Sequence, residues 1–178
     1  MSRVRVTVLS ISGAMALLYG ASAQAAEQPT DSDVKAAFLP RFARYVTWPP
    51  ATAPKVGEPF VLCVIGNQPF GAAVEAAARS QSVDGRRIIV RKLPSGSVAS
   101  GCQIAFVSGT ALQPTHQVLA AIGRKPVLTV TDDGGPRGII HFTVVGGRVR
   151  FFIDQATARR NGLQISSRLL ALAVGVRQ

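Results

Sequence analysis

Short apolar, β-branched runs alternating with stretches of helical spacing constrain this chain more than anything else in it. Phe60–Ile65, Arg86–Leu93, Cys102–Ser108 and Val127–Thr131 each have the length and composition of a strand, and the first lacks any polar alternation, as in strands buried on both faces. Between them, Pro69–Arg79 is Ala-rich with a proline suited to a first helical turn, and Pro114–Ile122 reads as a helix closed by Gly123. Strands and helices in this order form a parallel sheet with right-handed crossovers.

The pattern then changes. Ile139–Val145 and Arg148–Ile153 are joined by Gly146 and Gly147, a two-residue hairpin signal, so the sheet is expected to finish antiparallel. Upstream, Asp31 or Asp33 can cap a first helix whose face carries Val34, Phe38, Phe42 and Tyr45; Trp48, Pro49 and Pro50 end it. Pro40 predicts a kink near Ala36–Pro40, or a later start, because proline removes a helical hydrogen bond. Asp154 caps a further helix, Asn161 and Gly162 interrupt it, and Leu163–Val174 carries a stripe at Ile165, Leu169, Leu172 and Ala173 that predicts a final helix packed on the sheet. The expectation is one three-layer α/β domain over residues 26–178, with a mixed sheet of about six strands flanked by helices.

The preceding residues read as a secretory signal peptide, residues 1–25. Arg3 and Arg5 give a basic start, Val6–Leu18 is uncharged and mostly apolar, and the small residues from Ala21 to Ala25 place the cut after Ala25 or Ala23. The apolar stretch is shorter than the roughly 20 residues of a membrane span; the other reading is a retained anchor. Nothing after Glu27 resembles a second span, so the mature domain is expected to be soluble and outside the cytoplasm, in the periplasm. The compartment bears on Cys63 and Cys102, the two cysteines of the chain. An oxidising environment favours a disulfide between them; the alternative is two buried free thiols, each in or beside an apolar strand.

Charge narrows the partners. The chain has 20 Lys and Arg against 9 Asp and Glu, which favours an acidic protein face, anionic lipid or a polyanion, or else is a solvated basic surface. The arginines are scattered and lack the aromatic interleaving that stacks nucleic-acid bases, so no nucleic acid is expected.

Reactive groups do not converge in the sequence. His116 and His141 have no Cys, His or carboxylate at metal-ligand spacing, and Ser108, Ser166 and Ser167 have no neighbouring base, so no catalytic residue, metal or cofactor is assigned. Asp132 and Asp133, at a strand end, read as a turn before they read as a cation site; the turn from Gly66 to Gly71 lacks the Lys and hydroxyl of a phosphate loop. These two turns are what support an alternative reading, a periplasmic binding module for a small anionic ligand or metabolite.

The hairpin offers a positive feature. Ile140, Phe142 and Val144 share one face and Val149, Phe151 and Ile153 another, with Phe152 opposite Phe151 and beside Arg148 and Arg150. An aromatic ringed by arginines is an anchor for a protein partner, unless the final helix covers it. The contact region assigned from sequence is Ile140, Arg150, Phe152 and Arg168; an isologous homodimer is left open.

Several blocks resemble one family. They are Val34–Leu39 with Phe42, Ala43, Tyr45, Val46, Trp48 and Pro49; Leu62–Gly66 followed by Pro69, Phe70 and Gly71; Cys102–Ser108; Leu128–Val130; Gly147–Asp154; and Gly162–Ala173. Together they cover nearly the whole mature chain and are similar to the YfiR/HmsC-like periplasmic proteins. The resemblance implies a non-enzymatic repressor that binds the periplasmic sensor domain of an inner-membrane diguanylate cyclase, lowering cyclic-di-GMP and biofilm formation. It also implies release by an OmpA-like outer-membrane lipoprotein, and a bridging cysteine pair at Cys63 and Cys102. Some members carry a second pair where Gly135 and Phe142 stand here. Pro40 and Phe152 depart from the family pattern, the latter at a position often acidic or polar.

Overall fold

A computed structural model of the protein describes residues 28–67, 69–94, 99–132 and 134–178. The leader expected over residues 1–25 lies outside them. In chain order the elements are α1 (Asp31–Phe42), a 3-10 turn (Ala43–Tyr45), β1 (Val46–Thr47), β2 (Phe60–Gly66), α2 (Ala73–Arg79), β3 (Ser82–Val83), β4 (Arg86–Leu93), β5 (Ile104–Ser108) and α3 (Thr115–Ile122). There follow β6 (Leu128–Thr131), β7 (Ile140–Val145), β8 (Arg148–Asp154), α4 (Gln155–Arg160), β9 (Gln164–Ile165), α5 (Ser167–Leu170) and β10 (Gly175–Arg177).

The cap of α1 is Thr30, not Asp31 or Asp33. Its hydroxyl accepts from Asp33 N–H at 3.2 Å while the Asp33 carboxylate accepts from Thr30 N–H at 2.9 Å, a reciprocal pair that satisfies two end donors. The helix starts at Asp31 and continues through Pro40, then tightens into the 3-10 turn. Helix α2 starts later than expected, at Ala73, because Phe70 turns inward to stack edge-on against Phe106, centroids 4.6 Å apart.

Among the described residues one mixed sheet has eight strands in the order β10-β8-β7-β6-β5-β2-β4-β3. Strands β4, β2, β5, β6 and β7 are parallel; β8 returns antiparallel through Gly146 and Gly147, both at positive φ (58° and 68°), as a two-residue turn of matching twist requires. The hairpin register pairs Ile140 with Ile153, Phe142 with Phe151 and Val144 with Val149. The two apolar triplets therefore share one sheet face instead of taking separate ones.

That face packs on α1 and α2: Leu62, Phe106, Val130, Phe142 and Phe151 join Leu39, Phe42 and Val74 in one core. The opposite face packs Ile65, Ala105 and Val107 on Val118 and Ile122 of α3. Here lie Cys63 and Cys102, joined in a disulfide with Cα atoms 5.8 Å apart.

The expected helix over Leu163–Val174 does not form. Gln164 and Ile165 pair with Thr47 and Val46 in a small second sheet, and Ser166 N–H donates to the Tyr45 carbonyl at 2.8 Å. Ser166 then caps the single turn α5 by accepting from Leu169 N–H. The helical stripe arose because Leu163, Ile165 and Leu169 are indeed buried, while Leu172 is 58% exposed. Beyond it the chain enters the sheet, where the free edge of β8 offers backbone partners: Val174 N–H reaches the Phe151 carbonyl at 3.0 Å and β10 pairs in parallel. Two strands, β3 and β10, thus raise the sheet above the expected six. With no final helix, the α3 side of β7 and β8 has no helix assigned to it by sequence left to cover it.

Candidate functional site

Strand alternation decides which side chains reach the α3 side of the hairpin. Val149, Phe151 and Ile153 are buried toward α1, so Arg148, Arg150, Phe152 and Asp154 point the other way. Phe152 stands between His141 on β7 and Gly175 on β10. His141 is buried, with Nδ1 2.9 Å from the Thr131 hydroxyl, which also accepts from Gly138 N–H. On the other flank glycine leaves the Phe152 ring lying against backbone.

Arg137 closes the site from above, its guanidinium carbon 4.5 Å from the Phe152 ring centroid, a cation over the negative face of an aromatic. A groove of about 610 Å³ runs between Arg137, His141, Phe152 and the β10 residue Arg177. Asp154, at its end, is held by Arg177 and accepts from Thr157 N–H at 2.8 Å and the Thr157 hydroxyl at 2.7 Å. Burial acts to raise its pKa, but the hydrogen bonds from Arg177 and Thr157 outweigh it and hold the carboxyl below the ordinary 3.8. The only described acid of the groove is thereby occupied, and Arg148 and Arg150, both exposed, point to the same side of β8 outside the groove's lining.

The contact residues assigned from sequence divide. Arg150 and Phe152 share this face. Ile140 is 0% exposed, an inward member of the α1-side core, and offers no surface to a partner. Arg168 is exposed, but its turn buries Leu169 in the α1-side core, so the structure does not bring it to Phe152. Arg137, Arg177 and Gly175 went unnoticed in the sequence. Arg137 follows Gly134, Gly135 and Pro136, a loop that gives no periodicity, and the other two lie just beyond a misread helix.

The two turns behind the alternative reading are used structurally. Gly66, at φ 88°, passes so close to the Ser108 carbonyl that any side chain would collide with it. Asn67 N–H donates to Ser108 O at 3.1 Å and is not turned toward a ligand. Asp132 takes Lys35 Nζ of α1 at 2.8 and 2.9 Å; Gln68 and Asp133 lie outside the described residues. His116 is exposed on α3, and Ser166 is the α5 cap. Among the described residues no three His, Cys, Asp or Glu side chains cluster at metal-binding distance, and no helix is long and apolar enough to cross a membrane.

Fold and face together define a one-domain α/β protein that presents a basic strand surface centred on an aromatic ring. The chain belongs to the YfiR/HmsC-like family, whose sequence profile matches residues 32–174. That family is one of periplasmic regulators of cyclic-di-GMP signalling, regulatory rather than catalytic. No curated protein matches the chain.

Proposed function

We propose that this chain is exported by the leader at residues 1–25 and that its mature domain, residues 26–178, is a non-enzymatic repressor. It docks the Arg137, Arg150 and Phe152 surface on the periplasmic sensor domain of an inner-membrane diguanylate cyclase and holds the cyclase inactive. Cyclic-di-GMP and biofilm formation fall. One observation carries the reading: in a member of a regulatory family, an aromatic ring sits among arginines on a strand face that no element assigned by sequence covers. Apolar centres with arginine rims are the usual composition of protein contacts. Ile140 supports this face from beneath and Arg168 stands outside it.

The mechanism is linkage. A partner that binds one arrangement of the cyclase shifts its population by the difference in affinity for the two arrangements. A hundredfold fall in activity needs about 2.7 kcal/mol of such preference, within reach of one well-packed aromatic anchor. An OmpA-like outer-membrane lipoprotein competing for the same face would release the cyclase.

The test is deletion of the gene and complementation with Phe152→Asp, reading cellular cyclic-di-GMP. Deletion should raise the level and the variant should fail to lower it, while the purified variant keeps a native circular dichroism spectrum and a cooperative thermal melt. Unchanged cyclic-di-GMP on deletion in an expressing strain would sink the proposal.

A further inference from the structure

Charge is divided unequally between the two sides of the sheet. On β4, Ile88 and Val90 pack toward α1 and Leu93 toward α3, so Arg87 and Arg91 lie on the α3 side, where Arg91 reaches the Ser100 carbonyl. Arg124 and Lys125 follow α3, and Arg148 and Arg150 continue the series on β8. All six are exposed. The described carboxylates stand elsewhere: Asp31 and Asp33 open α1, Glu75 on α2 pairs with Lys92, and Asp132 is drawn to Lys35. Glu58 and Asp84 lie in loops before the strands, and Asp154, which does face the arginines, is engaged by Arg177.

From β4 to β8 is five strand spacings, about 24 Å, well beyond the roughly 8 Å range of one screened charge. Away from Phe152, the one exposed large hydrophobic of the described strands on this side is Val145, paired with Arg148, which is too little for the apolar centre a protein partner fills. Outside the Phe152 groove, a broad surface of one sign matches a planar anionic layer, for which complementarity of charge suffices. We propose that the α3 side of this protein binds anionic phospholipid headgroups. Such binding would hold the repressor at the bilayer that carries a membrane-bound target and confine its search to two dimensions. The lipid surface meets the Phe152 contact at Arg148 and Arg150, but Arg87, Arg91 and Arg124 lie outside that contact, and the lipid proposal does not depend on the cyclase reading.

The experiment uses protein purified from the periplasm, its mass showing that the leader is gone, since an apolar leader would itself bind membranes. Cosedimentation is measured with phosphatidylcholine vesicles with and without phosphatidylglycerol. Binding should require phosphatidylglycerol, weaken with salt, and fall about a hundredfold in the triple variant Arg87→Glu, Arg91→Glu, Arg124→Glu, at roughly fivefold or more per charge. The variant Arg41→Glu, Arg44→Glu, Arg79→Glu makes the same change of net charge on the α1 side and should bind nearly as wild type; an equal loss would overturn the assignment to one face. Absence of binding, or binding indifferent to phosphatidylglycerol, would overturn the proposal, and if the first triple variant lost only the cyclase domain, an acidic protein would be the occupant instead. Phe152→Ala, which removes the aromatic anchor without adding charge, should keep its lipid binding, so failure of repression and failure of lipid binding can be told apart.

Discussion

Phe152 and Gly175 stand opposite each other across the β8–β10 ladder with no space for a side chain between them. A methyl group on Gly175 would come within 2.9 Å of Phe152 Cδ1 and 3.1 Å of Cε1. Gly175→Val must therefore push the ring aside or detach the terminal strand, at a cost of about 1–3 kcal/mol. The expected result is a lower melting temperature together with weaker partner binding. A variant that melts and represses like wild type would show that the terminal strand is not seated against Phe152.

The Cys63–Cys102 bridge closes a loop of 39 residues, worth about 4 kcal/mol in the chain-entropy account. Both residues lie in the α3-side core, at 0% and 4% exposure, so removing the bond leaves small apolar groups in place and no buried charge. The double substitution Cys63→Ala, Cys102→Ala should lower unfolding stability by nearly that amount while the circular dichroism spectrum keeps its native form. Dithiothreitol under partly denaturing conditions should reproduce the loss in wild type and leave the variant unchanged.

What the sequence made legible were the elements whose residues carry their own periodicity. The parallel strands and the Gly146, Gly147 hairpin appear where the apolar runs and the turn signal put them, and the cysteine pair is bonded as the compartment argument favoured. The misreading at Leu163–Val174 has a physical source: a two-residue strand, a capped turn and a three-residue edge strand bury Leu163, Ile165 and Leu169 at spacings close to a helix's. Only backbone partners from distant segments, Tyr45 and Phe151, separate the two outcomes, and no local pattern encodes them. The same gap hid Gly175 and Arg177, and with them the β10 side of the groove. Ile140 was assigned to a contact surface because alternation tells which residues share a face but not which face is the inner one.

Asp154 gives acid its point of attack. Although burial opposes ionisation, its bonds to Arg177 and Thr157 place its folded pKa below the ordinary 3.8. A carboxyl depressed on folding contributes stability that is complete above the unfolded value and is lost as pH falls through the folded one. Melting temperature should therefore drop as pH falls from 3.8 downward, with the β10 amides gaining hydrogen exchange before the central strands do. Asp154→Asn, which keeps a capping oxygen but no charge, should begin from a lower melting temperature at neutral pH and show a shallower acid slope. An identical slope in both proteins would assign acid sensitivity to another group, of which Glu75, lowered by its hydrogen bond from Lys92, is the next to examine.

Lys35 and Asp132 join the first helix to the carboxyl end of β6, with both carboxylate oxygens within 2.9 Å of Nζ. The side chains keep 11% and 28% of their exposure, so solvent screens the pair only in part. Lys35→Met retains the apolar stem but leaves a partly buried carboxylate without its cation, and should cost about 1–3 kcal/mol after allowing for that screening. Asp132→Asn leaves the more deeply buried ammonium unpaired and should cost at least as much. Because each single change removes the pair and leaves its other member charged, the double variant should lose less than the two singles summed, by roughly 1–2 kcal/mol in a double-mutant cycle from urea unfolding. Additive losses would mean that each residue is held by its other surroundings, and that α1 is fixed to the sheet by its apolar face, Ala36, Phe38, Leu39 and Phe42.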